Sequence, residues 1–291
     1  AGRQQLHKDS EWNKLIFSKI PSEFLLWIKE ISSAYRNYWE VLPEKSYGRS
    51  NALETIYAEN MEKAISEIAF IPSLKNDNGR LLASEAFMDR MSIAESISVD
   101  ALVCHINRTY TQTFDANNQI ENVWKGSRIL NSYGVFIFDK QKLKSLFEDE
   151  CAFENITPEF NAKLIKFLFE YYSQNKSEQE ELISVLQTTR FLLDESGMLC
   201  MPNELFFPSS YKEQNILAED TKILNSDIFG TISSNQPIVN WLSILGLGQL
   251  SDLTFIENVL CKSGYVTTEN ALEVGKFIFD ISQREDIFGK I

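Results

Sequence analysis

The stretch Arg190–Pro208, RFLLDESGMLCMPNELFFP, predicts a β-hairpin followed by a short extended or helical tail. An apolar run and the polar trio Asp194-Glu195-Ser196 precede Gly197, and a second apolar run follows it. Glycine adopts the positive φ that a hairpin turn needs at little steric cost. Because a two-stranded hairpin is marginal by itself, this one has to pack against nearby helices.

A related stretch lies upstream at Ala69–Met88, AFIPSLKNDNGRLLASEAFM. Both stretches place Phe and an aliphatic residue before a polar turn, then Gly, any residue and Leu, with Glu shortly before an apolar pair. Asn78-Gly79 is the stronger of the two turn signals, so positive φ is predicted at Gly79 as well. A structural hairpin is the favoured interpretation of both stretches over an active-site loop.

The similarity continues downstream of the two stretches. Each is followed by a helix that ends at a glycine, Gly134 in the first copy and Gly246 in the second. The hairpin glycines are 118 residues apart, which is too long for a solenoid repeat but suits a duplicated module. The sequence therefore predicts a helix-rich α+β fold of two loosely similar modules, 21–150 and 151–291, each a β-hairpin packed on helices. Chance similarity is the alternative, and different strand pairing in the two hairpins would favour it.

The spacing of apolar residues, the prolines and the capping residues predict where the helices begin and end. A break is predicted at Pro21, so that residues 1–20 form a linker helix ahead of the first module. Ser98–Arg108 is compatible with a helix or a strand. Thr157-Pro158-Glu159 is a clear helix start, and Ser177 with Glu180 has the spacing of a capping box. The other predicted helices are Asp9–Ile20, Ser22–Trp39, Ala52–Ile68, Trp124–Ser132, Gln141–Glu148, Pro237–Leu245, Ser251–Cys261 and Thr268–Ser282.

Composition narrows the class of protein. The 291 residues carry a net charge of −13 with a pI of about 4.8, which argues against a nucleic-acid groove or an anionic membrane as a main partner. No apolar run has the length of a transmembrane helix, and the N-terminus lacks a secretory pattern. Four cysteines occur without a CxxC pair, and most lie in apolar surroundings typical of buried thiols, so we expect a reducing cytoplasm.

The search for catalytic motifs is negative. The two histidines are far apart, and no HExxH, GxSxG or Walker loop occurs. Cys104-His105 is interpreted as a buried cysteine beside a partly exposed histidine, because neighbours in a strand point to opposite faces. Gly246-Leu247-Gly248 is interpreted as a helix end rather than a dinucleotide loop. The sequence thus names no catalytic, cofactor-binding or metal-ligating residue, and the chain alone is expected not to be an enzyme.

Two groups of residues resemble a known family. Ser10-Glu11-Trp12-Asn13, within GRQQLHKDSEWNKL at the start of the chain, resembles the segment by which sacsin-like proteins leave an N-terminal GHKL-type ATPase domain. Phe70-Ile71-Pro72-Ser73 with Ser84-Glu85, and the later Trp241–Leu247, are similar to the hairpins and helix ends that follow that domain. The resemblance covers most of the chain loosely, through short structural motifs.

The resemblance implies an ATP-driven, chaperone-like or defence-type protein, of which this chain would be the middle region. It would be a fragment that begins at Ala1, with Asp9–Ile20 as the lever that joins the ATPase to the middle region. The ATP-binding motifs do not occur in the chain, and Asp77-Asn78-Gly79-Arg80 lacks the second glycine of an Asp-x-Gly-x-Gly loop. ATP and magnesium are therefore expected only in an upstream domain. The implied partners are that ATPase domain and an unknown protein client.

Two rival hypotheses remain. The first is a free-standing adaptor whose acidic surface binds a basic partner. The second is an enzyme whose site is assembled from scattered carboxylates, which would require a deep pocket where several acids converge with His105.

Overall fold

A computed structural model of the chain describes residues 9–32, 34–43, 51–76, 79–149, 151–208, 222–249 and 266–282. The chain divides into two compact units, Ala1–Ala94 with Val99–Leu146 and Glu95–Ser98 with Phe147–Ile291. The division lies near the boundary predicted after residue 150. Helices dominate both units and the sheets are small, which confirms the helix-rich α+β fold. The predicted helix Ser251–Cys261 and the turn residue Asn78 lie outside the described residues.

The described elements follow one another in chain order. The helices are α1 Glu11–Ile31, α2 Ala52–Glu67, α3 Ala94–Ile97, α4 Val99–Tyr110, α5 Ser127–Tyr133, α6 Lys140–Glu148, α7 Pro158–Gln174, α8 Gln179–Thr188, α9 Ser226–Ile232, α10 Gln236–Leu245 and α11 Ala271–Ser282. The strands are β1 Ile71–Pro72, β2 Arg80–Leu81, β3 Phe87–Asp89, β4 Gln119–Ile120, β5 Phe136–Phe138, β6 Leu192–Leu193 and β7 Leu199–Cys200.

The core of the first unit lies between the paired helices α1 and α2, the hairpin β1–β2 and the three-stranded sheet. In the second unit, α7 packs against α9, α8 and α10, and it also contacts β6. Many side chains of the first core have at most 2% exposure, among them Leu25, Ile28, Met61, Phe70, Ile71, Met88, Leu130 and Tyr133.

Both hairpins have the same strand pairing. Ile71 pairs with Leu81 in the first and Leu192 with Cys200 in the second, antiparallel in each case. The shared pairing favours duplication over chance similarity.

A glutamate closes the short 3-10 turn that follows each hairpin. The Leu82 N–H donates to the Glu85 carboxylate at 3.4 Å, and the Met201 N–H donates to the Glu204 carboxylate at 2.9 Å. This contact explains why both sequence stretches carry Glu shortly before an apolar pair.

The chain then enters an extended segment with parallel neighbours on both sides. In the first unit, β3 lies between β4 and β5 and is parallel to each. In the second, Phe206 forms parallel bridges to Ile223 and Gly248. The sequence predicts an extended or helical tail after each hairpin, but it did not predict the parallel pairing of that tail, because the partners are remote in the chain.

Both helices that end at a glycine do so with the same geometry. Gly134 has a φ of 110° and Gly246 a φ of 113°, in the left-handed region that other residues rarely adopt. In each case the next residue donates its N–H to a carbonyl five residues earlier, at 3.1 Å. The interpretation of Gly246-Leu247-Gly248 as a helix end is confirmed.

Three local predictions were wrong. Helix α1 runs without a break through Pro21, whose buried ring packs in the core and offsets the hydrogen bond that proline removes. Gly197 has the expected positive φ, but Gly79 does not, and the connection of the first hairpin is two residues longer. No capping box forms at Ser177, since a 3-10 turn over Lys176–Glu178 leads into α8.

The segment Ser98–Arg108 is helical from Val99 onward, where it forms α4. Its buried residues recur at helical spacing, which places them on one face. They are Leu102, Val103, His105 and Ile106.

Candidate interaction surface

Helix α1 consists of an anchored half and an unburied half. Its buried side chains are Pro21, Leu25 and Ile28, all in the second half, whereas no side chain of Glu11–Ile20 is buried. A separate helix of ten residues would be marginal in water, because helix nucleation is costly. Continuity with the anchored half supplies the nucleus, so the first half is helical without a core of its own.

The unburied half carries large apolar side chains in exposed positions. Trp12 is 68% exposed, and the others are between 39% and 51% exposed. At 3.6 residues per turn, they share one face with two further exposed residues of the second half, opposite Pro21, Leu25 and Ile28. We name this face the α1 stripe: Trp12, Leu15, Ile16, Ile20, Leu26 and Trp27.

Charged residues border and interrupt the α1 stripe. Lys19, Glu23 and Glu30 fall on the same side of the helix and are exposed. At the first turn, Lys14 bonds Glu11 at 2.7 Å, and this bond raises the pKa of the lysine. An exposed face that mixes large apolar side chains with charged ones is compatible with a surface that contacts another protein.

The sequence predicted that Trp12, Leu15, Ile16 and Ile20 lie in a helix, but it did not predict that they form an exposed surface. Spacing at i, i+3, i+4 and i+8 locates an apolar face but does not tell whether the same fold covers it. Only the packing of α1 against α2, which uses the opposite face, identifies this stripe as exposed.

His105, on which the enzyme hypothesis depended, lies inside the first unit. The expected roles of the neighbouring pair are reversed, since His105 has no exposed surface and Cys104 is exposed. On a helix the two residues point about 100° apart, and α4 turns the histidine towards the core. Its ring nitrogens lie 3.2 Å from the Ser145 hydroxyl and 3.3 Å from the Thr109 hydroxyl, so the buried ring is hydrogen-bonded by side chains nearer the surface.

The other two described cysteines differ in their exposure to solvent. Cys151 is exposed and Cys200 is buried, while Cys261 lies outside the described residues. Burial raises the pKa of the Cys200 thiol, with a smaller opposing effect of Lys222. The prediction that Cys104 is buried was wrong, whereas that for Cys200 is confirmed.

The most buried carboxylates hold backbone turns. Asp89 accepts from the Ala94 N–H at 2.8 Å and from the Met91 N–H at 3.1 Å, so it fixes the chain where β3 ends. Burial raises the pKa of Asp89, although these backbone bonds act in the opposite direction. Asp194 accepts from Ser196 and Met198 within its own hairpin turn.

Acidic residues also line a cavity of about 710 Å³ in the second unit, together with Cys151 and Arg190. Glu148, Asp149 and Glu154 form its acidic part. In the part of the chain that the structure describes, no group of three or more His, Cys, Asp or Glu side chains is arranged to hold a metal ion.

Comparison with protein-family models, with curated proteins and with solved structures finds no match to this chain. Among the described residues, no helix combines the length and the apolar content that crossing a bilayer requires.

Proposed function

We propose that the chain is a non-catalytic middle segment of a sacsin-like, ATP-dependent protein of the chaperone or defence type, and that it acts in the cytoplasm through protein contacts. The α1 stripe is the observation that carries the proposal. It lies in the segment that resembles the exit from a GHKL-type ATPase domain, and its apolar side chains in the first half of α1 are 39% to 68% exposed.

The two halves of α1 suit a helix that transmits movement. Pro21, Leu25 and Ile28 fix the second half to the first unit, so a load on the first half would reach the core through a continuous helix. An ATPase domain that contacts Trp12 and Ile16 in one nucleotide state would thereby displace α1 against α2. The stripe would provide the differential contact that a nucleotide-linked change requires.

The coding sequence upstream of Ala1 provides the first test. We expect it to encode an Asn-bearing helix and an Asp-x-Gly-x-Gly loop. A start codon directly before Ala1 would contradict the proposal and favour the free-standing adaptor. Hydrolysis of ATP by the purified 291-residue chain itself would also contradict it.

A double substitution, Leu15→Ser with Ile16→Ser, tests the α1 stripe in the polypeptide that includes the upstream domain, and it leaves the tryptophans that report the change in place. We expect the nucleotide-dependent change in tryptophan fluorescence of the middle region to be largely lost. Stability should change little, because both residues are exposed and surface substitutions usually stay within about 0.5 kcal/mol.

The matched control is Ile244→Ser, which removes another exposed apolar side chain, 54% exposed, from α10. This control should leave the fluorescence change intact. An equal loss in the control, or no loss in the double variant, would remove the α1 stripe from the mechanism.

A further inference from the structure

The first unit contains a cavity of about 260 Å³ beside its hairpin. Its polar lining comes from the end of α1, the turn after it, the hairpin and the residue after β4: Ser32, Arg36, Tyr38, Ser73, Arg80 and Glu121. Cations and hydroxyl groups thus converge on a space large enough for a small molecule.

Tyr38 is the unusual member of this lining. Its side chain is only 5% exposed, yet among the described residues its hydroxyl has no hydrogen-bond partner. The hydroxyl is not one of the fully buried, unpaired polar atoms of the described residues, so it stays accessible from the cavity and can donate to a ligand there. Burial raises the pKa of Tyr38, as does the nearby Glu121, so the group remains a hydrogen-bond donor at neutral pH.

The two arginines differ in how they are held. Arg80 is anchored in the wall, since its guanidinium donates to the main-chain oxygens of Gly79 at 3.0 Å and Lys29 at 3.5 Å. Arg36 lies at the rim, where its side chain is 85% exposed and pairs with Glu121 at 3.4 Å. Exposed ion pairs of this kind contribute little stability, so a competing anion can displace the glutamate.

We propose that this cavity binds a small molecule that carries a carboxylate or a phosphate group. The anion lies between Arg80 and Arg36 and accepts a hydrogen bond from the Tyr38 hydroxyl. Guanidinium groups bind both kinds of oxyanion in a bidentate manner. Glu121 competes for Arg36 and thereby weakens the site. The inference is independent of the proposed transducer role.

Calorimetric titration of the full chain with sodium phosphate and, separately, with succinate tests the site. Ionic strength is held constant with sodium chloride, because salt screens the interaction. Binding of phosphate alone would identify a phosphate-bearing ligand, and binding of succinate alone a carboxylate. A dissociation constant above about 10 mM corresponds to very weak binding. The proposal is overturned if neither anion binds at concentrations up to that value.

Two substitutions move the affinity in opposite directions, which a folding defect does not imitate. Tyr38→Phe removes one hydrogen bond and should weaken binding about fivefold. Glu121→Gln removes the competing charge and should tighten binding about fivefold. Tyr133→Phe is the control, because that buried hydroxyl donates to the Pro43 carbonyl and does not line the cavity. Equal affinities in the wild type, Tyr38→Phe and Glu121→Gln would overturn the assignment.

Discussion

The two hairpins share a backbone pattern but organise their turns with different side chains. In the second, the Asp194 carboxylate accepts hydrogen bonds from the Ser196 N–H at 2.9 Å and the Met198 N–H at 2.8 Å, so the turn is closed from within. Ser73 has the equivalent position in the first hairpin, and its hydroxyl donates outward to the Asn117 carbonyl at 2.7 Å.

A second difference lies on the opposite strand. Arg80 of β2 occupies the position that Leu199 has in β7, as the strand registers show. The first copy therefore presents a guanidinium at its cavity where the second presents an apolar side chain. A shared backbone with different side chains at these positions is what divergence after a duplication would produce.

The largest expected effect concerns how each hairpin is fixed to a helix. Asn161 of α7 is fully buried, and it donates to the Phe191 carbonyl and accepts from the Leu193 N–H. Asn161→Ala would leave both main-chain groups unpaired in the core. We expect it to lower the free energy of unfolding by about 2–4 kcal/mol, measured by denaturant titration.

The equivalent contact in the first unit is weaker. The Ser32 hydroxyl reaches the Phe70 carbonyl at 3.4 Å and also bonds the Lys29 carbonyl at 3.1 Å. Ser32→Ala should therefore cost less than about 1 kcal/mol. Similar costs for the two substitutions would contradict the view that the hairpins are attached with unequal strength.

Substitution of the glycines that end two helices is expected to have a smaller effect on the free energy of unfolding, and it tests whether the two helix ends share one backbone geometry. Gly134→Ala and Gly246→Ala should each lower the free energy of unfolding by about 1–2 kcal/mol, because both positions are left-handed. The cost should be greater at Gly246, where a new Cβ would lie 3.3 Å from the Asn203 Cβ.

Gly230 supplies the control for these substitutions. It lies within α9, and an added Cβ would meet no atom within 4 Å. Gly230→Ala should raise the free energy of unfolding by about 0.5–1 kcal/mol. A loss of stability at Gly230 comparable to that at Gly134 would show that backbone conformation is not the cause.

Features set by neighbouring residues were predictable from the sequence. The strands of both hairpins, the helix start at Thr157 and the glycine helix ends follow from local chemistry. The Thr157 hydroxyl, for example, accepts from the Phe160 N–H as a capping residue should. Such contacts span only a few residues and leave a signature in the pattern.

Features set by distant residues were not predictable. The passage of α1 through Pro21 depends on burial of the proline ring against the rest of the first unit, and no local rule anticipates it. The α1 stripe and the cavity at Tyr38 depend on which faces the fold covers. The burial of His105 likewise results from the packing of α4, which a pattern compatible with helix or strand does not specify.

The smallest expected effect is a difference in the free energy of unfolding between variants of the two glutamates that close the 3-10 turns, Glu204 and Glu85. Burial by itself would raise the pKa of Glu204, but the Met201 N–H and Arg190 outweigh it and lower that pKa. The arginine forms two bonds to the carboxylate, at 2.7 and 2.8 Å. The first copy has Ala69 at the position equivalent to Arg190, so Glu85 lacks this partner.

A carboxylate whose pKa is lowered by folding stabilises the protein above its unfolded pKa and loses that contribution as the pH falls through the folded pKa. Glu204→Gln should therefore lower the free energy of unfolding by about 0.5–1 kcal/mol at pH 7, a modest value because the ion pair is partly exposed. The difference from the wild type should shrink as the pH falls below about 4, the usual range for this side chain.

Glu85→Gln should cost less at pH 7, because its bond to the Leu82 N–H is long and no arginine supports it. Denaturant titrations of both variants at pH 7 and pH 3 provide the measurement, and a cost for Glu204→Gln that does not change with pH would mean that Arg190 contributes packing rather than charge.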